Sequence, residues 1–143
     1  MGLSDGASGP QRKAAMRDYQ AKSKWHLPRN VYMQTLYQIR DYPRLKEELK
    51  DILDSSPAFD EGMPRGSGPG DPTFSKAERI DRLQTQVRPI EQALMKMEPF
   101  YRKQIMNNII YGTRFDTYVT SYSTYRRKRQ EFIWNVANLS RKI

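Results

Sequence analysis

The sequence predicts an all-α protein, in which a long helical hairpin is followed by a C-terminal helix-turn-helix-like pair of helices. Two long stretches carry apolar side chains at steps of three and four residues, which places those side chains on one face of a helix. Alternation of apolar and polar residues, which would indicate a strand, occurs only weakly over residues 117–122. The densest run of proline and glycine lies between the two stretches, as expected of a connecting loop.

The first apolar stripe begins after Pro28. Its members are Tyr32, Leu36, Ile39, Tyr42, Leu45, Leu49 and Ile52. Pro43 lies within it, and a proline either kinks a helix or occupies the first turn of a new one. The sequence leaves both alternatives open: one kinked helix, or two helices that meet at Pro43.

The second apolar stripe runs from Phe74 to Met97, over about six turns of helix. It follows residues 55–72, where four prolines and four glycines exclude a regular element and predict a long loop. The helix can start at Pro72 or at the capping-box spacing of residues 75–78, and Pro89 is expected to kink it. The two striped stretches are expected to pack antiparallel as a hairpin.

A third helix is expected between Pro99 and Gly112. Proline suits the first position of a helix, and glycine suits the position just after its end, where a positive φ is common. The chain then divides into a flexible basic arm over residues 1–24, the helical hairpin over residues 25–97 and the helix-turn-helix-like region over residues 98–143.

The last helix places positive charge at its own N-terminal end. Ser121 and Ser123 are candidate N-caps, and four consecutive cations follow at residues 126–129. The helix dipole disfavours cations at this end, so the arrangement costs stability unless an anion binds there. The helix then continues with apolar side chains that can anchor it in a core, at Phe132, Val136 and Leu139.

The composition favours a polyanionic partner. The formal net charge is +9 and the pI is about 9.9, values typical of small domains that bind nucleic acid or an anionic membrane. Residues 1–30 contain six basic and two acidic side chains, residues 31–62 four and seven, and residues 111–143 seven and two. No apolar run is long enough to span a bilayer, so we expect a soluble protein of the cytoplasm that does not bind membranes.

No constellation of residues indicates an enzyme. The chain has no cysteine, and His26 is its only histidine, so thiolate metal sites and histidine-based nucleophile systems lack their components. The carboxylates alternate with lysine and arginine, as on a solvated surface. The sequence therefore predicts no catalytic residue, no metal ligand and no cofactor.

Contact with DNA is the function that the basic helix predicts best. Arginine can neutralise phosphates or bind guanine with two hydrogen bonds, and glutamine can bind adenine. Positions away from the apolar side of the helix are expected to face a DNA groove. The predicted DNA-binding residues are Ser121, Ser123, Thr124, Arg126, Arg127, Arg129 and Gln130. The alternative is a cationic surface helix that has no partner.

Several short motifs resemble a group of small phage and prophage proteins of Gram-positive bacteria. They include Leu27-Pro28-Arg29-Asn30-Val31-Tyr32, Ile39-Arg40-Asp41-Tyr42, Asp71-Pro72-Thr73, Ile90-Glu91-Gln92-Ala93-Leu94 and Asn107-Asn108-Ile109. These motifs resemble the RinA/ArpU type of late-gene transcriptional regulator, whose C-terminal half is similar to the helix-turn-helix of sigma factor region four. The resemblance covers about residues 25–139 and implies a regulator that acts on phage DNA in the bacterial host cytoplasm.

The sequence departs from the sigma-like pattern between Gly112 and the basic helix, where little room remains for the first helix of the motif. Either residues 113–120 form a short turn, or the third helix itself supports the basic helix.

Three functions are compatible with these observations. The first is a sequence-specific transcriptional regulator, with phosphate contacts from the N-terminal arm and a hairpin that forms a homodimer interface or a surface for host RNA polymerase. The second is a small-terminase-like DNA packaging factor, which requires ring oligomers. The third is a helical interaction protein that binds a host protein and no DNA. We adopt the first as the working hypothesis.

Overall fold

The computed structural model describes residues 20, 22–55 and 72–143. Most of the predicted arm and most of the predicted loop lie outside these residues. The described residues form five helices and no strand: α1 (Arg29–Arg40), α2 (Tyr42–Asp54), α3 (Pro72–Lys96), α4 (Pro99–Tyr111) and α5 (Tyr122–Leu139). The predicted all-α class is therefore confirmed, and the weak alternation over residues 117–122 does not form a strand.

The break between α1 and α2 decides between the two alternatives for Pro43. α1 ends at Arg40, and α2 begins at Tyr42 with Pro43 in its first turn. The amides of the first turn have no partner within the helix, so the missing N–H of a proline there removes no helical hydrogen bond. The chain thus forms two helices that meet beside Pro43.

α3 begins at Pro72, the earlier of its two predicted starts, and continues through Pro89 as one helix of 25 residues. Pro89 and the adjacent Ile90 are both buried. Pro89 removes one backbone hydrogen bond from the helix. Its burial offsets this loss, because tertiary packing contributes more to the stability of most helices than the propensity of one residue.

Two hydrophobic clusters form the core, and α3 contributes to both of them. The smaller cluster joins α2 to α3 through Leu45, Leu49, Ile52, Leu83 and Val87. The larger cluster combines α1, α3, α4 and α5, and includes Tyr32, Leu36, Ile39, Ile90, Ile105, Ile109, Tyr125, Phe132, Ile133 and Val136. The basic helix is consequently packed on the predicted hairpin as well as on α4.

A polar contact at Glu91 joins α2 to α3. The Glu91 carboxylate accepts hydrogen bonds from the Tyr42 hydroxyl and from Lys46 Nζ, both at 2.8 Å. The start of α2 therefore contacts the second half of α3, as in the antiparallel pair expected from the sequence. Burial raises the pKa of Glu91, but the hydrogen bonds from Lys46 and Tyr42 outweigh it and lower the pKa overall. Burial and the bond to Glu91 raise the pKa of Tyr42.

The Glu91 contact predicts a loss of stability in acid. Because the pKa of Glu91 in the folded protein lies below its ordinary value of 4.5, its stabilising contribution is complete above that pH and is lost as the pH falls through the folded pKa. The free energy of unfolding of the wild type should therefore fall more steeply than that of Glu91→Gln between about pH 5 and about pH 3. Urea denaturation across this range measures both slopes.

Glu47→Gln is the matched control, because Glu47 is an exposed glutamate on α2. Its free energy of unfolding should fall with pH as steeply as that of the wild type. The same slope for the wild type and Glu91→Gln would contradict a stabilising role for the contact.

Candidate nucleic-acid interface

The Ser121 cap begins α5 where the sequence predicts it. Ser121 has an extended backbone, and its hydroxyl accepts a hydrogen bond from the Thr124 amide at 3.2 Å. This bond satisfies one of the amides that the first turn leaves without a helical partner. The same hydroxyl lies 3.0 Å from Thr124 Oγ1. Both side chains thus help to fix the start of the helix.

The first two turns of α5 present polar and basic side chains to the solvent. The predicted residues that are exposed or partly exposed there are Ser121, Ser123, Thr124, Arg126 and Arg127. The Arg126 guanidinium lies over the Tyr122 ring, 5.6 Å from its centroid, and the cation–π attraction favours this position at the surface. The structure thus brings these five predicted residues together, and we call them the α5 surface.

Arg129, one of the predicted DNA-binding residues, lies on the buried side of α5 and is not part of the α5 surface. It is 6% exposed and donates hydrogen bonds to Asn108 Oδ1 at 2.8 Å and to the Tyr32 hydroxyl at 2.9 Å. The helical period explains this position, because Arg129 follows the buried Tyr125 by four residues and shares its side of the helix. The guanidinium joins α5 to α4 and α1 inside the protein, where a phosphate has no access.

Gln130, another predicted DNA-binding residue, is also buried, at 3% exposure, and is not part of the α5 surface. Its Nε2 donates hydrogen bonds to the Trp25 carbonyl and to Gln20 Oε1, both at 2.9 Å. The Gln20 side chain also bonds to the amide and the carbonyl of Leu27, at 2.7 and 2.9 Å. Gln20 belongs to the arm that was predicted to be flexible, but hydrogen bonds hold it against the helical body.

The segment before α1 brings two more cations beside α5. Lys22 and Lys24 are exposed, and Lys24 Nζ lies 4.8 Å from the centroid of the Trp25 ring. The carbonyl of Trp25 is bonded to Gln130, which lies one turn after Arg126 on the same side of α5. These lysines thus belong to a segment whose backbone contacts the third turn of α5.

Lys128, the remaining cation of the basic run, is paired with a carboxylate. Its Nζ lies 2.7 Å from Glu98 Oε1 and 5.4 Å from the centroid of the Tyr101 ring. Both partners belong to the start of α4 or the residue before it, so Lys128 links α4 to α5. Of the other cations of the run, Arg127 is exposed and Arg126 is partly exposed.

The connection between α4 and α5, residues 112–121, is longer than the turn of a helix-turn-helix. It comprises ten residues, whereas three or four are usual in that motif. Gly112 ends α4 as predicted, with a φ of 74° that favours glycine over other residues. The connection contains no helix, and α4 itself packs against α5 and supports it. We call residues 112–121 the connecting loop.

Tyr125 fixes the base of the connecting loop. Its ring is fully buried and stacks on Phe115, with centroids 4.7 Å apart and an angle of 7° between the rings. Its hydroxyl donates to the Asp116 carbonyl and accepts from Gln104 Nε2, both at 2.8 Å. Gln104 Oε1 in turn accepts from the Asp116 amide at 2.7 Å. Hydrogen bonds at Asp116, near the midpoint of the loop, thus join the loop to both α4 and α5.

The tip of the connecting loop is apolar and exposed. Tyr118 is 93% exposed and Val119 is 73% exposed, and Tyr122, at the start of α5, is also exposed. The sequence pattern did not identify these residues, because their alternation with threonine and serine resembles a strand. The sequence signal that could have identified this exposed tip is the pair of tyrosines, Tyr118 and Tyr122, on either side of the Ser121 cap.

The described part of the chain contains no group of three or more histidine, aspartate or glutamate side chains that could hold a metal ion. Within the same residues, no helix is long and apolar enough to cross a membrane. Comparison of the chain with protein-family models, with curated proteins and with solved structures finds no match. The candidate interface therefore depends on the geometry and charge of α5 and its surroundings.

Substitution of Arg129 by alanine should destabilise the protein much more than the same substitution of Arg127. Arg129→Ala removes the buried hydrogen bonds to Asn108 and Tyr32, so it should lower the free energy of unfolding by about 2–3 kcal/mol. Arg127→Ala removes the same type of side chain from the exposed side of the same helix and should change it by less than about 0.5 kcal/mol. Urea denaturation of both variants measures the difference. Equal and small effects would show that Arg129 is dispensable for the fold.

Proposed function

We propose that this chain binds double-stranded DNA through the first two turns of α5. The division of this helix is the observation that carries the proposal. Tyr125, Phe132 and Val136 hold α5 in the core, whereas Ser123 and Arg127 remain exposed at its start. The major groove of B-DNA is about 12 Å wide and admits an α-helix. Recognition helices contact base edges with their N-terminal residues, and Ser123 and Arg127 are exposed in this part of α5.

The charge around α5 supports an anionic partner. Arg126 and Arg127 lie on the α5 surface, and the exposed Lys22 and Lys24 belong to the segment that is bonded to α5 at Gln130. Attraction to phosphates supplies most of the non-specific affinity of a protein for DNA, and hydroxyls such as that of Ser123 can donate hydrogen bonds to phosphate oxygens. These contacts position the helix, and bidentate contacts of arginine with guanine add sequence preference.

Glu131 limits the extent of the proposed contact. It is partly exposed and lies one turn after Arg127, on the same side of α5. A carboxylate there would be repelled by a phosphate backbone that followed the helix beyond its second turn. The proposed interface therefore consists of the start of α5 and the chain segments next to it.

The resemblance of the short motifs to RinA/ArpU-type regulators supports a role in the transcription of phage genes within the bacterial cytoplasm. In this role α5 reads promoter DNA. The pair of helices α2 and α3, which packs together through the smaller hydrophobic cluster, is the proposed contact region for host RNA polymerase or for a second copy of the chain.

The salt dependence of binding tests the proposal. A labelled duplex from upstream of the chain's own gene and a scrambled duplex are titrated with the protein over a series of salt concentrations. Each phosphate contact that is lost lowers the log–log salt slope by about 0.9, so the variant Arg126→Ala/Arg127→Ala should lower it by up to about 1.8. It should also lose the preference for the natural duplex.

The variant Arg44→Ala/Lys50→Ala is the matched control. It removes the same charge from exposed positions on α2, far along the chain from α5, and it should keep the slope of the wild type. Equal slopes for the two double variants would reject α5 as the contact surface. A wild type that ignores both duplexes at physiological salt would favour the interaction protein, and ring oligomers would favour the packaging factor.

A further inference from the structure

The connecting loop combines a fixed base with an exposed aromatic tip. Burial of Tyr118 and Val119 would be favourable, because both are large and apolar. At the base, Tyr125 holds Phe115 and Asp116 in place, and the Asp116 carboxylate accepts a hydrogen bond from the Tyr118 amide at 3.0 Å. These contacts fix the backbone that leads to the tip, where the Tyr118 ring is 93% exposed.

The tip lies at the same end of α5 as the arginines of the α5 surface. Tyr118 precedes the Ser121 cap by three residues, a length of chain that spans at most about 10 Å. The Tyr122 ring lies between the loop and the helix, because it is 5.8 Å from the Phe115 ring and is covered by Arg126. Cations and aromatic rings thus alternate over one short surface, as they do in proteins on which nucleobases stack.

The aromatic ring and the nearby cations of the tip are the kinds of group that bind a nucleotide of DNA. Arg114, four residues before Tyr118, and Arg127, in the second turn of α5, are exposed, and Asp116 is the one carboxylate of the connecting loop. A nucleobase offers a π-face to the Tyr118 ring while its phosphates are attracted to the arginines. Apolar and aromatic side chains that enter between base steps are a known way in which proteins bend DNA.

We propose that Tyr118 stacks on a base step of the duplex beside the groove contacted by α5, and that it partly unstacks this step and bends the DNA. The inference rests on the proposed function and adds a contact that is independent of phosphate attraction. In this arrangement α5 and the connecting loop reach one duplex together, since the loop leads directly into the first turn of the helix.

Tyr118→Ser tests the loop. Among the described residues the ring has no hydrogen bond or ring contact, so the variant should keep the thermal stability of the wild type. Its affinity for the natural duplex should fall about tenfold, while the salt slope stays unchanged because no phosphate contact is lost. In a duplex that carries 2-aminopurine near the centre of the site, the fluorescence increase caused by the wild type should disappear. Tyr118→Trp should retain both the affinity and the fluorescence increase.

Tyr37→Ser is the matched control. Tyr37 is a tyrosine of 58% exposure on α1, and the neighbouring Gln38 contacts Ser140, beyond the far end of α5. This variant should bind and unstack the duplex as the wild type does.

Three outcomes would overturn the proposal, and they are distinguishable. Equal affinity and equal fluorescence for the wild type and Tyr118→Ser would reject the contact by the loop while leaving DNA binding by α5 intact. A fluorescence increase only in a duplex with an unpaired bubble would show that the ring stacks on unpaired bases and does not enter the duplex. A wild type that binds no DNA would reject the proposed function together with this inference.

Discussion

The contacts of the Tyr125 side chain hold α4, the connecting loop and α5 in one arrangement. A buried phenol is stable only if its hydroxyl finds partners, because a buried polar group without a hydrogen bond costs about 1–3 kcal/mol. Gln104 on α4 and Asp116 in the loop supply those partners, while the ring packs edge-on against Tyr101 and face-on against Phe115. The exposed start of α5 and the exposed tip of the loop both depend on this one buried ring.

The periodicity of the helix explains why a run of four cations does not form one patch. Successive residues on an α-helix point about 100° apart, so side chains at residues 126–129 leave the helix on all sides. Arg129 enters the core, Lys128 pairs with Glu98, Arg127 is exposed and Arg126 is partly exposed over the Tyr122 ring. The run therefore contributes both to the stability of the fold and to the candidate interface. The dipole at the helix start disfavours an exposed cation such as Arg127, and this supports the proposed anionic partner.

Local chemistry made most helix ends predictable from the sequence. Pro43 belongs to the first turn of a helix, Gly112 adopts a positive φ, and Ser121 accepts a bond from an amide three residues later. Each of these effects depends on a few adjacent residues. The periodic apolar residues of α5 likewise identified its buried side at Phe132 and Val136, because the 3.6-residue repeat is a property of the helix alone.

Contacts between distant residues were not predictable in this way. Arg129 donates to Tyr32, 97 positions earlier, and Gln130 donates to Gln20, 110 positions earlier. A polar side chain in a helix can face the solvent or the core, and only its partners decide between them. The partners depend on how α1 packs on α5, which the sequence pattern of either helix does not contain. The predicted interface therefore included two residues that the structure places inside the protein.

Hydrogen bonds also fix the C-terminal end of α5, and this affects the entropy that the proposed interface would lose on binding. Gln38 on α1 donates to the Gln86 carbonyl on α3 at 2.9 Å and accepts from Lys142 Nζ at 2.7 Å, just beyond the end of α5. With Tyr125 at its start and this network at its end, the helix loses its conformational freedom when the protein folds. A surface that is already ordered loses less entropy on binding than a segment that folds on its partner. The start of α5 therefore has the physical character of a preformed contact surface, and the sequence preference of the proposed interface would depend on which base edges this fixed surface can reach.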